Sequence, residues 1–189
     1  NRSENLVGPY GNQFNFQLLI EPETLEKEQI GTYGFINNPQ GYILGGSIIE
    51  TQSLFDYAYV LENIVLYLTA IGIGTCWLGG RFKKQEAMSK LDLSGNEIIP
   101  AIIPIGYAQE NQRLKERMIR TVLQAKKRKS GNELFFFEAF GQPLGNQGKD
   151  FQRALHYVRV APSAQNKQPW RLVFNSNLTQ VHFYVTNPL

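Results

Sequence analysis

The side chains best suited to holding a ligand lie in APSAQNKQPWRLVF, residues 161–174. Ser163, Asn166 and Gln168 gather hydrogen-bond donors and acceptors in one short loop that opens at Pro162. Trp170, just after Pro169, adds a flat apolar wall with a single donor. Such a set suits a planar ligand with a polar edge. It suits equally a helix-to-strand connection whose polar side chains bond their own backbone, and the residues alone leave both readings open.

Two further stretches have chemical content. In GIGTCWLGGRF, residues 72–82, four glycines surround Cys76, Trp77 and Leu78. Glycine lets a backbone approach a flat ligand closely and leaves its N–H groups free to point at it. A helix C-cap followed by a tight turn accounts for Gly74 but less well for the Gly79-Gly80 pair. The segment from Arg113 to Lys129 holds eight of the nineteen basic residues. Most of these read as a solvated face, but a run ending on an arginine can also grip a phosphate, because a guanidinium bonds two oxygens at once. There is no Walker sequence and no GxGxxG after a strand, so a nucleotide would have to be held in some other way.

Other chemistries fit poorly. Cys76 reads as a small buried hydrophobe. The only histidines, His156 and His182, show no sequence relation to it, and the set offers neither a Cys–His nucleophile pair nor a metal-ligand spacing.

Several elements must position these stretches. Asn12–Ile20 and Gly41–Glu50 read as strands, with Gly45-Gly46 marking a bulge or close approach. Glu21–Gln29 is acidic and helical or irregular. Leu54, Ala58, Leu61, Val65 and Leu68 recur at helical spacing, and Tyr57, Val60, Ile64 and Tyr67 make the opposite face apolar too. That predicts a helix over about 53–71 that is central and buried on most sides, with Ser53 and Asp56 as a capping-box variant and Gly72 and Gly74 as its stop. Its Glu62 then requires solvent, a partner or protonation. A short helix follows at about 83–91.

Glu97–Tyr107 reads as a strand whose prolines, Pro100 and Pro104, point their missing donors to one side, which predicts a sheet edge or bulges. Gln112–Gln124 reads as a basic helix and Leu134–Phe137 as a short apolar run. Lys149–Arg159 reads as a helix with Phe151, Leu155 and Val158 on one face. A hairpin closes the chain, with strands over 171–174 and 180–185. Strands and helices are mixed without regular alternation, which predicts an α+β fold.

The bulk numbers set limits. The 189 residues favour one domain with a substantial core, with or without an internal duplication. With charged residues at 19% and a net charge of +3, neither disorder nor nucleic-acid binding is indicated. A single cysteine and a polar N-terminal stretch suit the cytoplasm, and the most apolar segment, 55–73, carries Asp56, Glu62 and Asn63, which argues against a membrane span.

Taken together, three motifs resemble the flavin-dependent nitroreductase family. APSAQNKQPW matches its flavin-loop pattern, roughly Pro-Ser-x-x-Asn-x-Gln-Pro-Trp. GIGTCWLGG matches its glycine-rich segment after a long central helix. IPIGYA followed by KKRKSGNELFF is similar to its closing strand and basic pair. The loop follows the glycine-rich segment here, whereas it precedes it in most of the family. That order resembles the divergent "putative TM nitroreductase" branch, which contains two nitroreductase-like halves.

GPYGNQFNFQLL reads as a faded copy of the flavin loop. The expected organisation is a single domain over 1–189 that lacks terminal segments, with half-repeats at 1–145 and 146–189, the second incomplete. The family's Arg-Arg-Ser-x-Arg signature is absent.

The resemblance implies an antiparallel-dominated sheet packed on helices, and a flavin site with FMN as cofactor. Pro162, Ser163, Asn166 and Gln168 would hold the isoalloxazine edge or ribityl chain. Backbone N–H groups around Trp77, Leu78, Gly79 and Gly80 would face the flavin N5 and O4 side, and Arg128 with Lys126 would hold the phosphate.

The implied activity is ping-pong transfer of hydride from NADH or NADPH through flavin N5 to a small-molecule acceptor, a nitroaromatic, a quinone or a similar compound. No side chain is expected to act as a catalytic acid or base. A homodimer or an internal pseudo-dimer is the expected assembly, with no nucleic-acid or membrane partner. The alternative is a non-enzymatic flavin-binding or sensor protein of the same fold.

Overall fold

The computed structural model describes residues 6–20, 36, 39–80, 82–107 and 126–186. The segments Glu21–Gln29 and Gln112–Gln124, expected to be helical or irregular and helical, lie outside the described residues. The chain falls into two compact units, Asn1–Asn111 and Gln112–Leu189. Both mix helices with small sheets, antiparallel in the first unit and mixed in the second, so the fold is α+β.

In chain order the first unit carries β1 (Leu6–Val7), β2 (Gln13–Phe14), β3 (Phe16–Leu19), β4 (Gly41–Gly45) and β5 (Ser47–Ile48). Helix α1 (Thr51–Ala70), β6 (Gly74–Thr75), helix α2 (Lys84–Met88), β7 (Glu97–Ile98) and β8 (Ile103–Gly106) follow. The main sheet runs β3–β4–β8–β6, antiparallel throughout. Successive strand residues face opposite sides, and β4 shows the consequence. Tyr42 and Leu44 pack with Phe82, Ala87 and Leu91 around α2, while Ile43 packs with Phe14, Phe16 and the α1 residues Tyr57, Val60 and Leu61. The sheet is therefore covered on both faces, one helix to each side.

Helix α1 is more one-sided than its sequence predicts. Ser53, Asp56, Tyr57, Val60 and Leu61 form the buried stripe, whereas Phe55, Tyr59, Leu66 and Tyr67 are each more than half exposed. The Tyr57 hydroxyl donates to the Ala101 carbonyl at 2.7 Å, and burial pushes its phenol well above the usual range. The expected capping box is absent. The helix starts at Thr51 with Glu50 as N-cap; Ser53 Oγ lies 2.9 Å from Ser47 Oγ, and Asp56 turns to a loop described below. Gly72, at φ +81°, takes the left-handed position that stops the helix, with Ile73 N–H donating back to the Leu68 carbonyl. No helix among the described residues is long and apolar enough to cross a membrane.

The proline-bearing strand is a correction. It splits into β7 and β8, and β8 lies inside the sheet between β4 and β6. Leu78 and Ile102 exchange both N–H···O bonds at 3.0 Å. Two residues along the same strand, Pro104 turns its nitrogen to that same side. There the ladder lapses, between Leu78↔Ile102 and Thr75↔Ile105. A missing donor is thus tolerated in an interior strand because the neighbouring pairing is interrupted at that point.

The second unit carries the helical turn α3 (Gly131–Leu134), β9 (Phe135–Phe137), a 3₁₀ segment (Gly145–Phe151), α4 (Gln152–Val160), β10 (Trp170–Phe174) and β11 (Val181–Val185). Its sheet runs β11–β10–β9, with β9 parallel to β10. Phe151, Leu155 and Val158 pack as expected on one core, together with Leu134, Phe135, Leu172 and Phe174.

Candidate functional site

In the second unit the loop expected to hold a ligand begins where α4 ends. Ala161 precedes Pro162 and adopts φ −52°, ψ 145°, the extended region that a following proline favours. The loop then takes an unusual backbone path. Gln165, Asn166 and Gln168 have φ of +53°, +55° and +48°. For residues other than glycine this left-handed conformation costs about 1–3 kcal/mol each, Asn least, and persists only where surrounding contacts impose it.

Those contacts come from the basic run. The Gln168 side chain is 4% exposed. Its Oε1 accepts from Lys129 N–H at 2.8 Å, and its Nε2 donates to the carbonyls of Asn166 at 3.1 Å and Lys127 at 3.3 Å. Asn166 Nδ2 donates to the same Lys127 carbonyl at 2.9 Å. Ser163 Oγ accepts from the Gln168 backbone N–H at 2.9 Å.

Arg128 ties the loop to α4. Its Nε and Nη2 donate to the Val160 carbonyl at 3.3 and 3.1 Å, and its Nη1 donates to the Lys127 carbonyl and to Asn166 Oδ1, both at 3.1 Å. Val160 is the last residue of α4, where carbonyls lack helical partners and a cation is favoured. Arg171 Nη1 donates to the Gln168 carbonyl at 3.0 Å.

The second unit therefore brings together Ser163, Asn166, Gln168 and Arg128 as one hydrogen-bonded group. Pro162 sets the loop's entry, and Lys126 and Lys127 are exposed. Ser163, Asn166 and Gln168 bond the backbone of their own surroundings, so their first role here is to fix that backbone. The residues that sequence reasoning missed act through main-chain groups, namely Val160, Lys127 and Lys129, and such groups leave no signature in residue type. One missed feature had a signal. Ser130-x-x-Glu133 is a capping-box spacing, and Glu133 Oε2 accepts from Ser130 N–H and Oγ–H, both at 2.8 Å. Those bonds from Ser130, with Lys129 and Arg171 nearby, outweigh desolvation and hold the Glu133 carboxyl below its usual range. The box fixes where the basic run ends.

In the first unit the glycine-rich segment is anchored at two points. Trp77 Nε1 donates to Glu62 Oε2 at 2.9 Å, which gives that acidic residue of α1 its partner. The fully buried Leu78 has its N–H committed to the Ile102 carbonyl, so backbone donors toward a ligand would have to come from Gly79 and Gly80. Gly79 is exposed, and a Cβ built on it would meet nothing within 4 Å. Burial pushes the Cys76 thiol up, away from the thiolate that nucleophilic chemistry needs. His156 and His182 are exposed. Among the described residues no three His, Cys, Asp or Glu side chains are placed to hold a metal ion.

The sequence pattern of the "putative TM nitroreductase" family matches residues 5–187. The chain belongs to that family. No curated protein matches the sequence. Among solved structures, the "putative nitroreductase" of Thermotoga maritima MSB8 is similar at 20% identity and a TM-score of 0.55, over 94% of this chain and 60% of that one. This family member thus spans 60% of the length of the Thermotoga protein. A nitroreductase with bound FMN from Bacteroides fragilis is similar at 18% identity and a TM-score of 0.46, covering 60% of this chain and 75% of that one. A nitroreductase family protein from Clostridium novyi NT is similar at 18% identity and a TM-score of 0.46, covering 75% and 78%.

Proposed function

We propose that the protein is an FMN-dependent NAD(P)H oxidoreductase that reduces nitroaromatic, quinone or similar acceptors. The observation that carries this reading is the loop 163–168. Its residues match the family's flavin-loop pattern, and its strained backbone is held by a basic run. Strain of this kind is retained where a loop must present a fixed surface.

When bound, FMN supplies two-electron redox chemistry between a reduced nicotinamide and an oxidised acceptor. This chain's residues supply binding, orientation and field. The phosphate of FMN needs fixed positive charge, and Arg128 is the proposed ligand, with Lys126 assisting. Arg128 is already ordered by its bonds to Val160 and Asn166, so little side-chain freedom is lost when it meets an anion. Pro162, Ser163 and Asn166 would shape the surface that meets the flavin edge, with Gln168 behind them. The first unit carries the family's other motif, the glycine-rich segment, in which Trp77 and Leu78 hold the backbone in place and Gly79 and Gly80 are the proposed donors. Donors aimed where negative charge arrives stabilise it without reorganisation.

The test is a titration of FMN and riboflavin into the purified protein, followed by oxidation of NADH and NADPH with a nitroaromatic or a quinone. Bound FMN with turnover is expected. FMN bound without turnover by either donor makes the protein a flavin-binding module instead, and absence of FMN binding overturns the reading.

A further inference from the structure

The Gln168 side-chain amide meets the basic run as a peptide group meets a neighbouring parallel strand. It donates to the carbonyl of Lys127 and accepts from the N–H of Lys129, the two backbone groups that flank Arg128. The peptide planes on both sides of Arg128 are thereby fixed by one buried side chain. From that backbone Arg128 reaches Val160 and Asn166, and Asn166 itself accepts Gln168 Nε2 at its carbonyl. A buried amide satisfied at both ends resists displacement, because any shift leaves a donor or acceptor unpaired.

We propose that Gln168 is a positioning residue for anion recognition: it sets the place of the Arg128 guanidinium, and through it the preference of this site for a phosphate-bearing flavin. The proposal rests on the reading of Arg128 as the phosphate ligand. Gln168 touches no phosphate in it. Its action passes through the peptide groups of Lys127 and Lys129. The effect must then fall on the phosphate and spare the rest of the flavin, which separates positioning from a general weakening of the loop.

The experiment compares dissociation constants for FMN and riboflavin in the parent and in Gln168→Met, which keeps side-chain length and removes both hydrogen-bonding ends. The parent is expected to prefer FMN by about tenfold or more, the scale of one charge-assisted contact. Gln168→Met should lose most of that preference, with riboflavin affinity changed by less than about threefold. A second pair guards against a variant that fails to fold. Lys129→Pro removes the N–H that Gln168 accepts, Lys129→Ala keeps it, and both remove the charge. Only Lys129→Pro should lower the FMN-to-riboflavin ratio. Equal loss of both flavins in a Gln168→Met that keeps the parent's circular-dichroism spectrum, or a ratio unchanged in Lys129→Pro, overturns the proposal. A parent with no preference for FMN overturns instead the phosphate reading beneath it, so the two failures are distinguishable.

Discussion

Two loops of this chain, each running from a proline through Asn and Gln into a strand, are held by opposite chemistry. In the first unit Gly8-Pro9-Tyr10-Gly11-Asn12 leads into β2 and β3; in the second, the loop from Pro162 to Gln168 leads into β10. The first wraps a carboxylate. Asp56 Oδ1 accepts from Tyr10 N–H at 2.9 Å, and Oδ2 accepts from Asn12 N–H at 3.0 Å and Asn12 Nδ2 at 2.8 Å. The second wraps a guanidinium and an amide that collect carbonyls. A loop whose N–H groups already serve a buried carboxylate is closed to a second anion, since like charges repel. A loop organised on a cation remains suited to one. The two loops thus differ in the charge of the group that each folds around.

The comparison can be broken most sharply at Gly8. A Cβ there would overlap the Asp56 side chain. Gly8→Ala must displace the loop or the carboxylate, and is expected to lower stability in urea by about 3 kcal/mol, the upper part of the overpacking range. Flavin affinity should persist in the fraction that folds.

At Arg128 the sign of the group is reversed. Arg128→Ala should weaken FMN by about 2 kcal/mol, while Lys129→Ala, measured in the same fluorescence titration, stays close to the parent. Equal behaviour of the two variants would remove Arg128 from the phosphate.

Asp56 gives a pH signature. Burial alone would raise its pKa, but the bonds from Tyr10 and Asn12 outweigh that and hold it below the usual value. Its stabilising effect is therefore complete above the unfolded-state value of about 3.9 and fades as pH falls through the lower folded-state value. Asp56→Asn should be less stable than the parent at pH 7, and the gap should narrow on acidification below about pH 4. Urea midpoints across that range measure it, and a constant gap would count against an ionised Asp56. Glu133 titrates in both proteins and cancels from the difference.

The smallest effect belongs to Gln165. It is exposed and left-handed at φ +53°. Gln165→Gly relieves strain but gains freedom in the unfolded chain, so thermal stability should change by only a few tenths of a kcal/mol.

The elements that depend on periodicity were legible in the sequence: the long helix, the stripe of Phe151, Leu155 and Val158, and the mixed class. Helix α1 is less buried than its pattern predicts because apolar type does not say whether a neighbour covers it, and Tyr59 and Tyr67 are exposed. Pro104 predicts an edge or a bulge yet lies in an interior strand, because a missing donor shows only that one side of a strand lacks a bond. The interruption that accommodates it lies in another segment. The loop's polar residues were found by type, but their partners were not, because Val160, Lys127 and Lys129 act through backbone groups. Asp56 was assigned to a helix cap when its bonds reach 44 and 46 residues away, beyond any local pattern.

The central claim, that the second loop holds a flavin and the first is closed by Asp56, is tested most directly by the visible absorption spectrum of the purified protein after FMN addition and gel filtration. The parent and Asp56→Asn should both retain FMN, and Arg128→Ala should lose it. A parent that emerges colourless, or FMN retained by Arg128→Ala and lost from Asp56→Asn, would contradict the account.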